Sequence, residues 1–204
     1  MTEQLYRTLV WLDYRLAVVF GAGLPLVLLL WAALRREGAL TRLMGIYWKV
    51  ASLMAISVLL LTDARPLGYL TSLLAQLAVL VTLWFWADLN EELADMPPWR
   101  SLPLTLRIWR WALTVTVLFG IVLGVTALPC MAQASAAASC AVWQEAPLRL
   151  HAVMARLFGF LFGARWTPPV AAFVGYLALV AYAIGFLQWL IVRLPRHGRV
   201  AGEF

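Results

Sequence analysis

Few side chains in this sequence could do chemistry. Cys130 and Cys140 are its whole supply of thiols. Their spacing matches no metal motif and no CxxC is present, so the pair can close a disulfide around the Ala-rich turn 131–139 or stand as two unrelated thiols. Gln76 and His151 could each ligate the central metal of a pigment. The plain alternatives are an interhelical hydrogen bond for the amide and a locally bonded imidazole for the histidine. The densest polar run is Asp88-Leu-Asn-Glu-Glu-Leu-Ala-Asp95. Asp88, Glu92 and Asp95 share one helical face, as do Glu91 and Asp95, so these carboxylates could hold a hard cation, receive a basic partner, or end a solvated helix. No histidine accompanies them and no paired ExxH occurs, so a di-metal centre is not expected. Walker and Rossmann glycine motifs, GxSxG and HExxH are missing, as is a pair of axial histidines for a membrane haem. The expectation is a protein that is not an enzyme.

The elements that must position these residues belong in lipid. Residues are 64% hydrophobic and 13% charged, with a mean hydropathy of +0.85. Five apolar stretches cover about 16–34, 44–61, 67–87, 108–128 and 170–192. A helix of about 20 apolar residues crosses about 30 Å of hydrocarbon, and buried helices of soluble proteins rarely run so long without a charged face. The expected fold is therefore all-α: a polytopic membrane helix bundle of five transmembrane helices plus short interfacial helices, one membrane domain over 1–204. Residues 1–15 carry Glu3, Arg7, Asp13 and Arg15 with no apolar core ending in a cleavage site, so the first span is expected to act as its own insertion signal. Residues 4–15 read as a short interfacial helix leading into a first span bent by Gly21, Gly23 and Pro25. The tight link 62–66 makes spans two and three antiparallel neighbours. No ionisable group is expected deep in the spans, which weakens a coupled transporter.

A net charge of +6 and a pI of 9.9 reflect loop asymmetry here, and no nucleic-acid partner is expected. Arg35, Arg36, Arg42, Lys49, Arg100, Arg107, Arg110, Arg193, Arg196 and Arg199 fall on one face of a five-span topology. Arg7, Arg15 and Arg65, with Arg149, Arg156 and Arg165 in a long loop, fall on the other. The positive-inside rule then puts the C-terminus in the cytoplasm and the N-terminus outside it. Trp31, Trp48, Trp84, Trp86, Trp109, Trp111 and Trp189 lie near the cytoplasmic ends, where indole rings favour the headgroup layer. Both cysteines then sit in the non-cytoplasmic loop 129–169, opposite the cytoplasmic loop 88–107. In the latter, Pro97, Pro98 and Pro103 stiffen the chain, and Arg107 and Arg110 are read as anchors at the lipid surface. Gly120 and Gly124 form a GxxxG, and Ala171/Gly175 and Ala181/Gly185 repeat its spacing, which supports close helix packing within the chain or with a partner. Residues 148–162 are apolar but too short to span. They suit an amphipathic helix along the surface, or a re-entrant turn at Gly159 and Gly163. Phe158, Phe160 and Phe162 would anchor it or contact another membrane subunit.

Three segments, MTEQLYRTLVWLDYR at 1–15, LWFWADLNEE at 83–92 and LFGFLFGARWT at 157–167, make the sequence similar over almost its whole length to a small cyanobacterial membrane family, filed as domain-of-unknown-function family 3177. The resemblance brings no catalytic residues. It implies an oxygenic photosynthetic host and a thylakoid membrane, with the outer face becoming the lumen. The expected function is then a non-enzymatic accessory or assembly factor in a hetero-complex with photosynthetic membrane subunits, photosystem II assembly intermediates preferred. Asp88, Glu91, Glu92, Asp95, Arg100, Gly120, Gly124, Phe158, Phe160 and Phe162 are its expected partner-binding residues. Chlorophyll or carotenoid is the cofactor such a setting could add, at His151 or Gln76. A small homo-oligomeric permease or channel is the alternative, although Ser52, Ser57, Gln76 and Thr116 are sparse for a polar stripe. A thiol–disulfide enzyme using Cys130 and Cys140 is the third.

Overall fold

Inside hydrocarbon each backbone N–H and C=O must find a partner within the protein, which favours helices. The computed structural model describes residues 3–97, 99–133 and 138–200, and every regular element among them is helical. Five helices are long and apolar enough to cross a membrane: α1 (Glu3–Arg35), α2 (Gly38–Leu61), α3 (Pro66–Phe85), α5 (Ser101–Ala127) and α8 (Pro168–Arg196). Between them lie α4 (Ala87–Asp95), the single turn α6 (Cys130–Gln133) and α7 (Ala138–Phe162). α1, α2, α3 and α5 pack in a closed ring, each against the next, and α8 leans on α2 from outside. The ring encloses Leu28, Leu40, Met44, Tyr47, Leu83, Leu106, Trp109 and Leu113.

The α2–α3 hairpin forms as its short link requires. Asp63 and Arg65 pair across the turn at 2.6 Å, and Ala64 adopts a left-handed conformation (φ 53°). Gly68 then lies directly on Leu61. A Cβ there would come within 2.9 Å of the Leu61 side chain and 3.1 Å of its backbone nitrogen, so only glycine allows this approach.

Two expectations about α1 are corrected. Residues 4–15 are no separate interfacial helix but the first turns of a continuous 33-residue helix. At 1.5 Å per residue it is about 50 Å long, against about 30 Å of hydrocarbon, so it reaches past the bilayer to the disulfide end of the bundle. The interruption expected at Pro25 takes the form of a π-helical stretch, Ala17–Gly23, in which the Leu24 N–H reaches back to the Val19 carbonyl. Proline has no N–H and its ring crowds the carbonyl four residues earlier; a widened turn relieves the clash. The same device recurs before Pro195, where Trp189–Arg193 is π-helical and the Leu194 N–H meets the Trp189 carbonyl.

The widened turn of α1 strands two carbonyls, and side chains from across the ring take them up. The Trp109 indole Nε1 donates to the Phe20 carbonyl at 2.8 Å, and the Tyr47 hydroxyl donates to the Gly21 carbonyl. The two rings meet edge to face, centroids 5.2 Å apart. Trp109 is thus fully buried and Trp86 nearly so, whereas both were expected at the headgroup layer. Spacing from a helix end says which turn a tryptophan occupies but not which face.

The long loop is corrected as well. Most of it is one helix, α7, which begins ten residues earlier than the apolar pattern suggested and passes through Pro147. It does not turn back at Gly159. It stops at Gly163, whose φ of +65° closes the helix.

If Tyr47 replaces the donor that Pro25 lacks, the two residues are energetically coupled. Tyr47→Phe is expected to lower the unfolding free energy by about 1 kcal/mol in the native background, in the range of interhelical hydrogen bonds in bilayers. In a Pro25→Ala background, where residue 25 supplies its own N–H, the loss should fall below half of that. A double-mutant cycle of unfolding in mixed micelles measures the difference; equal losses would contradict the pairing.

Candidate functional site

Chemistry-bearing residues gather at three levels: the disulfide end, the opposite end around α4, and the interior. At the first, Cys130 and Cys140 are joined in a disulfide with Cα atoms 5.6 Å apart, and both are buried. It ties α6 to the start of α7. The first half of α7 is then clamped on α1 and α3. The Tyr14 hydroxyl donates to the Trp143 carbonyl at 2.9 Å, filling the place of the N–H that Pro147 lacks. The Tyr69 hydroxyl donates to the Cys140 carbonyl at 3.2 Å, and the Trp143 indole donates to Tyr6 at 2.8 Å. Glu145 accepts from Arg7 at 3.0 Å and from Trp11 at 2.8 Å, and Arg149 stacks over the Trp11 ring. Thiol exchange needs an accessible sulfur, so this buried bridge suits a structural tie.

Beyond Pro147 the same helix changes character. Leu148, Leu150, Val153, Met154, Leu157 and Leu161 are exposed, with Phe160 87% and Phe162 69% accessible. Phe158 is half-buried, its ring 4.8 Å from Phe162 and 5.1 Å from Trp166. His151 is half-buried, and its Nε2 is buried without a hydrogen-bond partner among the described residues.

At the α4 end the acidic run is partly committed. Glu92 accepts from Arg42 at 2.7 Å on both oxygens, whereas Glu91, Asp95 and Arg100 are exposed. Arg110 does not sit on the lipid surface as expected, and Arg107 is half-buried. Arg107 donates to the carbonyls of Leu93, Ala94 and Met96. The first two belong to the last turn of α4, whose carbonyls have no partner within the helix. Arg110 is 7% exposed. It donates to the Leu83 carbonyl and to Asn90 (2.7 Å), and lies 4.3 Å over the Trp84 ring. Arg199 donates to the Phe85 carbonyl at 2.7 Å. With Trp84, Asn90 and Pro103, the two arginines line a cavity of about 410 Å³. Their charges are spent on helix ends, a stabilising use of cations at C-termini.

The interior holds what apolar windows could not show. Gly120 was expected at a partner interface; it lies inside the ring, between α1 and α3. A Cβ on it would come within 2.8 Å of Asp13 Oδ1, 2.8 Å of Gln76 Nε2 and 2.9 Å of Gln76 Oε1. Gly124 likewise faces Leu73 at 3.4 Å. Both glycines therefore serve an internal seam. Asp13 is 5% exposed and Gln76 8%, and the Gln76 Oε1 is buried with no hydrogen-bond partner among the described residues. No hydrogen bond or ion pair reaches the Asp13 carboxyl among the described residues. Asp13 stands about 10 Å along α1 from Tyr6, which meets Thr126 at the disulfide end. Its carboxyl is buried within the bundle, in the turns of α1 that precede the apolar stretch 16–34. The signal was present in Gln76 and Gly120; what concealed it was the reading of α1 as starting near residue 16.

Together these features define a polytopic α-helical membrane protein: a ring of four helices capped by side chains at both ends, with a fifth helix outside. The chain belongs to the family described as protein of unknown function (DUF3177), whose model matches residues 7–202. No curated protein and no solved structure matches it.

Replacing Cys130 and Cys140 with serine should cost about 3 kcal/mol, the loop-closure value for so short a loop, seen as a lower thermal midpoint that reductant no longer shifts. Gly120→Leu, which fills the contact between Asp13 and Gln76, should destabilise by about 1–3 kcal/mol or more. A Leu at 120 tolerated without loss would mean the seam is open.

Proposed function

We propose that the protein is a non-catalytic accessory or assembly factor that docks on another membrane complex through the second half of α7. The observation that carries this is the contrast within one helix. Its first half is fixed by a disulfide and a web of tyrosine, tryptophan and arginine bonds, and its second half presents Phe160 and Phe162 largely exposed. A rigid mount carrying exposed aromatic rings is what a partner-binding edge requires, since ordering costs are met before binding. Glu91, Asp95 and Arg100 at the opposite end are exposed and suited to fixing register. The resemblance to a cyanobacterial family supports a thylakoid setting, with the N-terminus lumenal and the C-terminus cytoplasmic, a photosynthetic complex as partner, and photosystem II assembly intermediates as the first choice. A small homo-oligomeric permease or channel is the second reading, favoured by the buried Asp13–Gln76 pair.

Affinity purification of the tagged protein from native thylakoids, with mass spectrometry and an absorption spectrum of the same eluate, tests the proposal. Photosystem core subunits and a chlorophyll band are expected, reduced at least tenfold in a Phe160→Ser/Phe162→Ser variant that inserts normally. A colourless homo-oligomer would overturn docking and favour the second reading. Unchanged recovery by the variant would remove α7 as the docking edge.

A further inference from the structure

Asp13, Gln76 and Gly120 come from three helices, α1, α3 and α5, and meet where nothing in the docking reading needs them. Asp13 is 5% exposed, and leaving a charge in so buried a place without a counter-ion is unfavourable. Among the described residues no ion pair reaches it, and the one arginine of α7 near this part of α1, Arg149, lies over the Trp11 ring. On α3 the one titratable residue is Tyr69, and α5 has none from Trp111 to Ala127. On α1 the neighbours are Tyr14, bonded to α7, and Arg15, which is exposed. On α7 Glu145 is held by Arg7 and Trp11. Gln76 supplies the complementary need, because its Oε1 is a buried acceptor without a donor. A protonated carboxyl has one O–H to give. A Cβ placed on Gly120 would lie 2.8 Å from Asp13 Oδ1 and within 2.9 Å of both ends of the Gln76 amide, so the two side chains face the same spot whichever way the amide is turned.

We propose that Asp13 and Gln76, brought together over Gly120, form a reversible proton-binding site inside the bundle. In the loaded state the Asp13 carboxyl donates its O–H to Gln76 Oε1. Release returns one proton to water and leaves a carboxylate, to which Gln76 Nε2 donates instead. Binding forms one O–H bond and breaks none in the protein. The π-helical stretch of α1 begins four residues after Asp13, and interrupted helices beside a buried polar group are a recurrent arrangement at membrane sites that load and release ions. The site stands independently of the docking reading and can exist whether or not α7 has a partner.

The test is carboxyl NMR of the full-length protein in lipid nanodiscs, labelled with carboxyl-¹³C aspartate. The chain's aspartates are Asp13, Asp63, Asp88 and Asp95. One protonated carboxyl signal is expected at neutral pH, lost in Asp13→Asn and converting to the ionised position in a single step at alkaline pH. Should Asp13→Asn fail to fold, the same signal must survive Asp63→Asn, Asp88→Asn and Asp95→Asn. Gln76→Leu removes both the acceptor of the protonated form and the donor to the carboxylate; because the bond to the charged form is the stronger, proton affinity should rise. Four aspartates all ionised at neutral pH would overturn the proposal. So would a midpoint that falls when sodium replaces choline, which would make the ligand a metal cation.

Discussion

A proline inside a lipid-buried helix leaves a carbonyl four residues earlier with no donor, and there is no water to take its place. Much of this structure is organised around that deficit. Pro25 strands Gly21, and Tyr47 answers from α2; the widened turn frees Phe20, and Trp109 answers from α5. Pro147 strands Trp143, and Tyr14 answers from α1. α4 ends at Asp95, and Arg107 takes the carbonyls of Leu93 and Ala94 in its last turn. Where α3 gives way to α4 at the extended Trp86, the carbonyls of Leu83, Trp84 and Phe85 go to Arg110, Asn90 and Arg199. The side chains that hold the ring together are largely the ones that complete its backbone.

The interior pair depends on that closure. α1 and α3 sit diagonally across the ring, and Asp13 and Gln76 meet only because α5 offers the bare Cα of Gly120 between them. Had α1 been a regular helix without Pro25, its later turns would face differently relative to Tyr47 and Trp109, so the π-helical stretch sets the register that brings Asp13 inward. At the disulfide end a similar economy applies: Tyr14, next to Asp13, faces α7, so consecutive residues of one helix serve the interior and the clamp.

The five spans were legible because hydrophobic length is a local property, and the antiparallel α2–α3 hairpin followed from a four-residue link. The Cys130–Cys140 bridge was legible for the same reason, as a short loop within reach of itself. Asp13 was not, since Glu3, Arg7 and Arg15 around it lower the local hydropathy and only the seating of α1 against α3 and α5 reveals its depth. Trp109, Trp86 and Arg110 were misplaced on the lipid surface because distance from a helix end fixes a level in the membrane but not a direction. The prolines within helices, Pro25 and Pro147, did carry the missing information: each marks a carbonyl four residues upstream that is met from elsewhere, though by which residue only the packing decides.

That arrangement has a consequence for biosynthesis. Tyr47 follows Gly21 by 26 residues and Trp109 follows Phe20 by 89. A ribosome adding about 5–20 residues per second leaves the Phe20 carbonyl without its indole for about 4–18 s. During that interval the first span cannot rest in bare lipid in its final shape. It must linger beside the translocation machinery, hold a regular conformation that Pro25 opposes, or carry a water molecule inward. The order in which this protein threads into the membrane is therefore the reverse of the order in which its first helix becomes finished, and α1, made first, is among the last to reach its mature form.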